Sequence, residues 1–183
     1  ETFKVEELKL RPALLEAQEM LRENGTFPVI ILISGVDGSG KGDTINTLYE
    51  WMDPRYMSTR TFSAPTQEER QHPSMWRFWR ALPKKGRIGI AAGSWYSWPV
   101  ADRIAGDLSR SDFDQRMDEL NRFEEMLVNE GALVLKFWIH LSKDGQRERL
   151  AAIEANPLTR WRVTKASWDR LKTYDKMLEV AEL

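Results

Sequence analysis

The chain has 183 residues, of which 42% are hydrophobic and 30% charged, and its formal net charge is -1. This length favours a single globular domain with a core of its own, and the near-neutral charge argues against a general attraction to nucleic acid or anionic membranes. There is no cysteine, which excludes disulfides and cysteine-ligated metals and suits a cytoplasmic protein. No apolar run reaches the ~20 residues of a membrane span.

Short apolar runs alternate with segments of helical periodicity along the chain. The run at 28–34, bounded by Pro and Gly, is typical of a strand buried on both faces of a parallel sheet. Ser111 to Asp114 suits a capping box for a helix that closes at Gly131. The predicted elements are, in order, a helix at 6–23, a strand at 28–34, a helix at 43–52, a strand at 56–62, a helical segment at 66–82, a strand at 87–92, the helix from 111, a strand at 132–140, and two helices around a loop at Pro157. This alternation predicts an α/β fold with a parallel, doubly wound sheet.

A glycine-rich turn follows the first strand. In GVDGSGKG, Gly35, Gly40 and Lys41 have the spacing GxxxxGK. Glycines let successive backbone N–H groups surround an anion, the following helix points its positive end at the same place, and the lysine adds a point charge. Because a buried strand precedes this turn and a helix follows, it is favoured as a phosphate-binding loop over an ordinary turn. The candidate phosphate-binding residues are Gly35, Gly38, Gly40, Lys41 and Gly42.

Two positions of this loop are unusual. Gly42 stands where a Ser or Thr would reach a magnesium ion, and Thr44 is a poor substitute. Asp37 lies inside the loop, where a carboxylate is unfavourable unless it meets a cation or takes a proton. Asp37 could therefore bind magnesium or handle the acceptor's proton; alternatively, it caps the turn and faces solvent.

Several motifs resemble those of the polyphosphate kinase 2 family. GVDGSGKGDTI is similar to its first motif, PTQEERQHPSMWRFWRALPKKGRIGI to its Trp-Arg stretch, GSWYSW to its second motif and NPLTRWRVTKASWDR to its lid. The resemblance implies a P-loop kinase-like three-layer fold with a mostly parallel sheet and a helical lid. It implies one domain over 1–183, with an N-terminal helix at 1–25, a core at 28–140 and a helix and lid at 142–172.

The resemblance also implies an activity. The family transfers phosphoryl groups between inorganic polyphosphate and nucleotides, here a nucleoside mono- or diphosphate such as AMP or ADP, and uses Mg²⁺. Asp37 and Lys41 become catalytic candidates, with Asp37 as the metal ligand. Because the chain starts at Glu1 and stops at Leu183 within a helical pattern, we expect it to be part of a longer chain with a second homologous domain. We also expect a homo-oligomer.

The second motif departs from the family pattern. The family's Asp falls on Ala92, its Arg on Gly93 and a second Arg on Trp98. Losing one preorganised group typically costs about 10²–10³ in rate, so this domain is expected to be a weak or inactive catalyst. An alternative is that Asp102 supplies the carboxylate. Two other functions stay open: a non-catalytic, polyphosphate-binding half of a tandem enzyme, and an ATP-dependent nucleoside monophosphate kinase.

Basic residues are concentrated near the C-terminus. Residues 147–176 hold eight Lys or Arg against four Asp or Glu, which suits either a polyanion-binding lid or a solvated helix surface. Trp138 is expected in the core, Trp76 and Trp79 on one helix face, and neither histidine has a partner at metal-binding spacing. The candidate polyphosphate contacts are Arg77, Arg80, Arg147, Arg149, Arg160, Arg162 and Lys165.

Overall fold

The computed structural model describes residues 2–182, and within them four strands form one sheet. The strands are β1 (Val29–Gly35), β2 (Met57–Thr61), β3 (Ile88–Ala92) and β4 (Leu133–Ile139). They are all parallel and lie in the order β2-β3-β1-β4. The helices are α1 (Thr2–Asn24), α2 (Lys41–Trp51), α3 (Gln67–Arg70), α4 (Trp76–Trp79), α5 (Ser97–Ala105), α6 (Arg110–Asn129), α7 (Lys143–Ala155), α8 (Lys165–Lys172) and α9 (Tyr174–Ala181), with 3-10 turns at Pro54–Tyr56 and Arg160–Arg162.

Helices cover both faces of the sheet. Side chains alternate along β1, so Ile30 and Leu32 pack in one hydrophobic cluster with Phe123 of α6. Ile31 and Ile33 point to the other face and pack in a second cluster with α1 and α2. The predicted α/β, three-layer fold with a parallel sheet is confirmed. Parallel strands buried on both faces also place every β-to-α loop at one edge of the sheet, where the candidate site lies.

The prediction of one helical segment at 66–82 is wrong. It forms two single turns, α3 and α4, separated around Pro73. A proline lacks an N–H and disfavours helical geometry in the residue before it, so the helix cannot run through. The capping prediction is displaced too, because Ser109 rather than Ser111 accepts the hydrogen bond from Asp112 N and α6 begins one residue earlier than expected.

The expectation that Trp138 lies in the core is also wrong. Its strand, β4, pairs only with β1 within the described residues, and Trp138 is 47% exposed. Trp76 and Trp79 have different partners: Trp76 stacks on His72, and Trp79 meets Phe123 edge-on. Helix α5, which the sequence pattern did not indicate, follows β3 in the chain and packs against α6 and α9.

Candidate phosphate-binding site

The glycine-rich loop joins β1 to α2 at the carboxyl edge of the sheet. Gly35 ends β1 so close to β4 that a Cβ there would lie 2.1 Å from the Ile139 carbonyl oxygen. Gly40 precedes α2 with φ of 99°, a left-handed conformation that costs a residue with a side chain about 1–2 kcal/mol. The loop thus requires glycine at both ends, and the positive end of α2 faces the space that it surrounds.

Lys41 is the first residue of α2 and folds back over this loop. Its Nζ donates hydrogen bonds of 2.7 Å to the carbonyl oxygens of Gly35 and Val36. Burial lowers the pKa of Lys41, and the nearby Asp37 carboxylate partly opposes that effect. Within the described residues Lys41 forms no ion pair, so its ammonium group can turn to an anion without leaving a carboxylate behind.

Three arginines reach this loop from the C-terminal helices. Arg149 on α7 and Arg162 both contact the Asp43 carboxylate, at 2.6 and 3.3 Å. Arg170 on α8 contacts the Asp37 carboxylate at 2.6 Å. Together with the loop they surround a cavity of about 350 Å³. The cavity is thus lined by three arginines and by residues of the glycine-rich loop, and both of its carboxylates are paired with an arginine.

Only some of the predicted basic residues lie here. Gly38, Gly40 and Gly42 of the loop line the cavity together with Asp37, Lys41, Arg149 and Arg162, whereas Gly35 and the other predicted cations do not. Arg77 pairs with Glu69 and Arg147 with Asp144, both away from the loop. Sequence reasoning missed Arg170 and Asp43; the one available signal for Arg170 was its position in the lid motif SWDR. The predicted cations outside the cavity are Arg77, Arg80, Arg147, Arg160 and Lys165.

The second motif begins where β3 ends. Ala92 is the last strand residue, and the Gly93 N–H donates to the Ile33 carbonyl at 2.9 Å. Trp98 and Asp102, on α5, line a different cavity that does not include the loop. The structure therefore brings neither Trp98 nor Asp102 to the glycine-rich loop, whereas Ala92 ends the strand that neighbours β1 and Gly93 directly follows it.

A buried carboxylate fixes the aromatic residues of this motif. Glu124 of α6 accepts hydrogen bonds from Trp95 Nε1 at 3.0 Å and the Tyr96 hydroxyl at 2.7 Å, and Lys136 Nζ lies at 2.8 Å. Burial and the hydrogen bond to Glu124 raise the pKa of Tyr96. Ser94, between Gly93 and Trp95, adopts a positive φ of 58°. Such strain persists where surrounding contacts hold it.

The donors for a magnesium ion are sparse. Within residues 2–182 no three acidic or histidine side chains cluster as metal ligands. Asp37 and Asp43 are the carboxylates of the cavity, and both are paired with arginines. Ala92 offers no oxygen. This donor set does not fit a Mg²⁺ ion held by the protein's own carboxylates, so the expected Mg²⁺ rests on the family resemblance.

Comparison with known proteins points to one family. The model of the family Polyphosphate kinase 2 (PPK2) matches residues 1–182. A polyphosphate:AMP phosphotransferase of Pseudomonas aeruginosa is 46% identical over all of this chain, and an AMP/ADP-polyphosphate phosphotransferase of Meiothermus ruber is 30% identical over 94% of it. The chain spans 37% of the first relative and 65% of the second.

Solved structures agree with the fold. A polyphosphate kinase 2 structure from Pseudomonas aeruginosa superposes with a TM-score of 0.85 and 44% identity, covering 99% of this chain and 36% of the other. Polyphosphate kinase 2 from Arthrobacter aurescens gives a TM-score of 0.89 and 26% identity, covering 93% of this chain and 62% of the other.

Among the described helices none is both long and apolar enough to cross a membrane.

Proposed function

Because the chain belongs to the polyphosphate kinase 2 family, we propose that it is a phosphotransferase domain that binds inorganic polyphosphate and acts with a nucleoside mono- or diphosphate, AMP or ADP. One observation supports this most directly. Lys41 and the arginines at 149, 162 and 170 converge on the glycine-rich loop at the start of α2. Several cations and a helix N-terminus around one cavity suit a ligand with several phosphate groups.

Polyphosphate binding would exchange internal ion pairs for ligand contacts. In the structure, Asp43 holds Arg149 and Arg162, and Asp37 holds Arg170. Phosphate oxygens present the same charge in the same region, and arginine forks bind them well. Lys41 would leave two loop carbonyls for a phosphate oxygen. The carboxylates at 37 and 43 therefore compete with the ligand for the cations.

Removing the ammonium group of Lys41 tests this proposal. We expect Lys41→Ala to weaken tripolyphosphate binding roughly ten- to hundredfold, because a hydrogen bond to a charged group contributes about 1.5–3 kcal/mol. Isothermal titration calorimetry at fixed ionic strength measures the tripolyphosphate affinity of each variant. Lys85→Ala removes the same charge from an exposed turn and should bind like wild type. Equal affinity in Lys41→Ala and wild type would contradict the proposal.

We further propose that this domain has little turnover of its own. Phosphoryl transfer needs charge opposite the developing negative charge, and Ala92 and Gly93 provide none. Ala92→Asp with Gly93→Arg should raise the transfer of phosphate from polyphosphate to AMP or ADP. The gain is limited because Gly93 has φ of +92° and a Cβ there would lie 3.4 Å from Ser97 Oγ. Turnover of the unaltered domain at about 1–100 per second would refute this part.

Two alternatives remain distinguishable. A purely polyphosphate-binding half of a tandem enzyme would bind tripolyphosphate and show no transfer even with the double replacement. An ATP-dependent nucleoside monophosphate kinase would use ATP in preference to polyphosphate. Gly42 argues against the ATP-dependent kinase, because P-loop kinases have a Ser or Thr at this position, after the lysine, that holds Mg²⁺ with ATP.

A further inference from the structure

A cluster of cations lies at the amino edge of the sheet, opposite the glycine-rich loop. The strands β2 and β3 begin side by side and run parallel, so Tyr56 and Arg87, which directly precede them, are neighbours. The Arg87 guanidinium lies 4.6 Å from the centre of the Tyr56 ring, and those of Arg22 and Arg55 lie at 5.6 and 5.7 Å. Three like charges thus surround one half-buried aromatic ring.

Carboxylates neutralise only two of these three arginines. Arg55 pairs with Asp53 at 2.6 Å, and Arg22 pairs with two glutamates of α1. Arg87 forms no ion pair within residues 2–182, and its Nη1 donates to the Arg55 carbonyl oxygen at 2.5 Å. Two exposed lysines in the turn before Arg87 form no ion pair there either. Against three carboxylates, the five cations have a surplus of two. This amino-edge cluster consists of Arg22, Arg55, Lys84, Lys85 and Arg87.

The turn that carries three of these cations is fixed to the end of α1. Gly86 is buried in this turn, and a Cβ there would lie 3.2 Å from the Gly25 Cα. The Gly86 N–H donates to the Phe27 carbonyl at 2.9 Å, and the Arg87 carbonyl accepts from Val29 N at 3.0 Å. The backbone beneath the cations is therefore ordered before a ligand arrives, which reduces the entropy that binding costs.

The chemistry of the amino-edge cluster suits phosphate groups rather than nucleic acid bases. Arginine forks bind phosphate oxygens in pairs, and lysines add point charges. Proteins that bind single-stranded nucleic acid also offer free aromatic faces for base stacking, whereas the Arg87 guanidinium lies over the Tyr56 ring. A small charge surplus, spread over three segments of the chain, gives a short anion few contacts. A long polyanion meets several of these cations at once, and its weak contacts add up.

We propose that the amino-edge cluster is a second binding site for inorganic polyphosphate and that it selects long chains. The seven residues of β1 separate it from the glycine-rich loop by about 20 Å, at roughly 3.3 Å per residue. The choice of ligand rests on the proposed function, but the two sites share no residue. A long chain held at this cluster keeps its other phosphates near the domain, which raises their effective concentration at the loop.

The test titrates long-chain sodium polyphosphate and tripolyphosphate into two double variants at low salt. Lys84→Gln with Arg87→Gln should weaken long-chain binding roughly two- to thirtyfold, because exposed charges each contribute little. Its tripolyphosphate affinity should equal that of wild type, which also shows that it is folded. Arg110→Gln with Arg122→Gln removes the same charge from exposed positions of α6 and should bind both ligands like wild type.

Three results of these titrations would overturn the inference. The first is an unchanged long-chain affinity in Lys84→Gln with Arg87→Gln, and the second is an equal loss in the α6 control. The third is a loss of tripolyphosphate affinity that matches the loss of long-chain affinity. Polyglutamate and single-stranded RNA are titrated in parallel and should bind more weakly than long-chain polyphosphate. Tighter binding of either one through Lys84 and Arg87 would assign the cluster to an acidic protein segment or to RNA instead.

The Lys41→Ala background separates this inference from the proposed function. With the loop disabled, the remaining long-chain affinity should still fall when Lys84 and Arg87 are replaced. If Lys41→Ala alone abolishes long-chain binding, the amino-edge cluster is not a site and the proposed function stands. If Lys41→Ala leaves tripolyphosphate affinity unchanged while Lys84→Gln with Arg87→Gln weakens long-chain binding, the cluster stands as a site and the proposed function fails.

Discussion

Asp43 offers a sharp test of how the arginines are held before a ligand arrives. Its carboxylate contacts Arg149 at 2.6 Å and Arg162 at 3.3 Å. In the proposed function these arginines must release Asp43 to reach a phosphate. Replacing Asp43 with Asn removes the competing charge and keeps the shape of the side chain. We therefore expect Asp43→Asn to bind tripolyphosphate more tightly than wild type.

The size of the effect follows from the exposure of the groups. The side chain of Asp43 is 48% exposed, that of Arg149 44% and that of Arg162 36%. Exposed ion pairs contribute about 0.2–1 kcal/mol each to stability. Freeing two pairs should raise affinity by about 0.4–2 kcal/mol, or roughly two- to thirtyfold. The ligand-free protein should melt slightly lower, because Asp43 also lies in the first turn of α2, where a negative charge is favourable. Affinity and stability thus change in opposite directions.

The assay is calorimetric titration of tripolyphosphate at low and physiological salt, paired with a thermal melt. Asp144→Asn is the matched control, because Asp144 also lies in the first turn of a helix and pairs with an arginine, Arg147, at 2.8 Å. That control should lose similar stability without any change in affinity. Should Asp43→Asn bind tripolyphosphate equally or more weakly, the arginines do not exchange Asp43 for phosphate and the reasoning fails.

Three further outcomes are expected. Arg162→Ala should reduce tripolyphosphate affinity in titrations at low salt. Arg160 is exposed and lies outside the cavity, so Arg160→Ala should leave the affinity unchanged. Equal effects of the two replacements would attribute binding to the general positive charge of this surface instead. Glu124→Ala should lower the free energy of unfolding in urea by about 1–3 kcal/mol, because the buried Trp95 N–H loses its acceptor. The exposed neighbour is the control, and Glu125→Ala should change the free energy of unfolding by less than about 0.5 kcal/mol. Burial lowers the pKa of Lys41 in the folded protein below its ordinary value of 10.5, so between the folded and unfolded pKa values the unfolded chain binds more protons. Wild type should therefore gain stability relative to Lys41→Met as pH rises toward 10.5. A difference in melting temperature between the two proteins that stays constant with pH would contradict this.

Much of the fold could be predicted from local pattern. The strand at 28–34 was predicted to within one residue of the bounds of β1, because a short apolar run bounded by Pro and Gly is compatible with few structures other than a buried strand. The GxxxxGK spacing between strand and helix likewise located the loop, since its backbone conformation depends on glycines that lie within a few residues of one another in the chain. Where the pattern misled, the cause was also local: Pro73 interrupts the segment at 66–82, and Ser109 rather than Ser111 caps α6.

The arrangement of charges depended on tertiary structure. Asp43 and Arg149 are 106 residues apart, and Asp37 and Arg170 are 133 apart, so no spacing rule links them. Which of the basic residues near the C-terminus reach the loop depends on how α7 and α8 pack over the sheet edge. Helical periodicity does not reveal that packing. The cavity beside the loop has the same origin, because it is formed by elements that meet only in the folded chain. The sequence by itself determined the glycine-rich loop and the parallel sheet that carries it, since both are encoded by neighbouring residues. Only the tertiary structure decided which distant cations and carboxylates surround that loop.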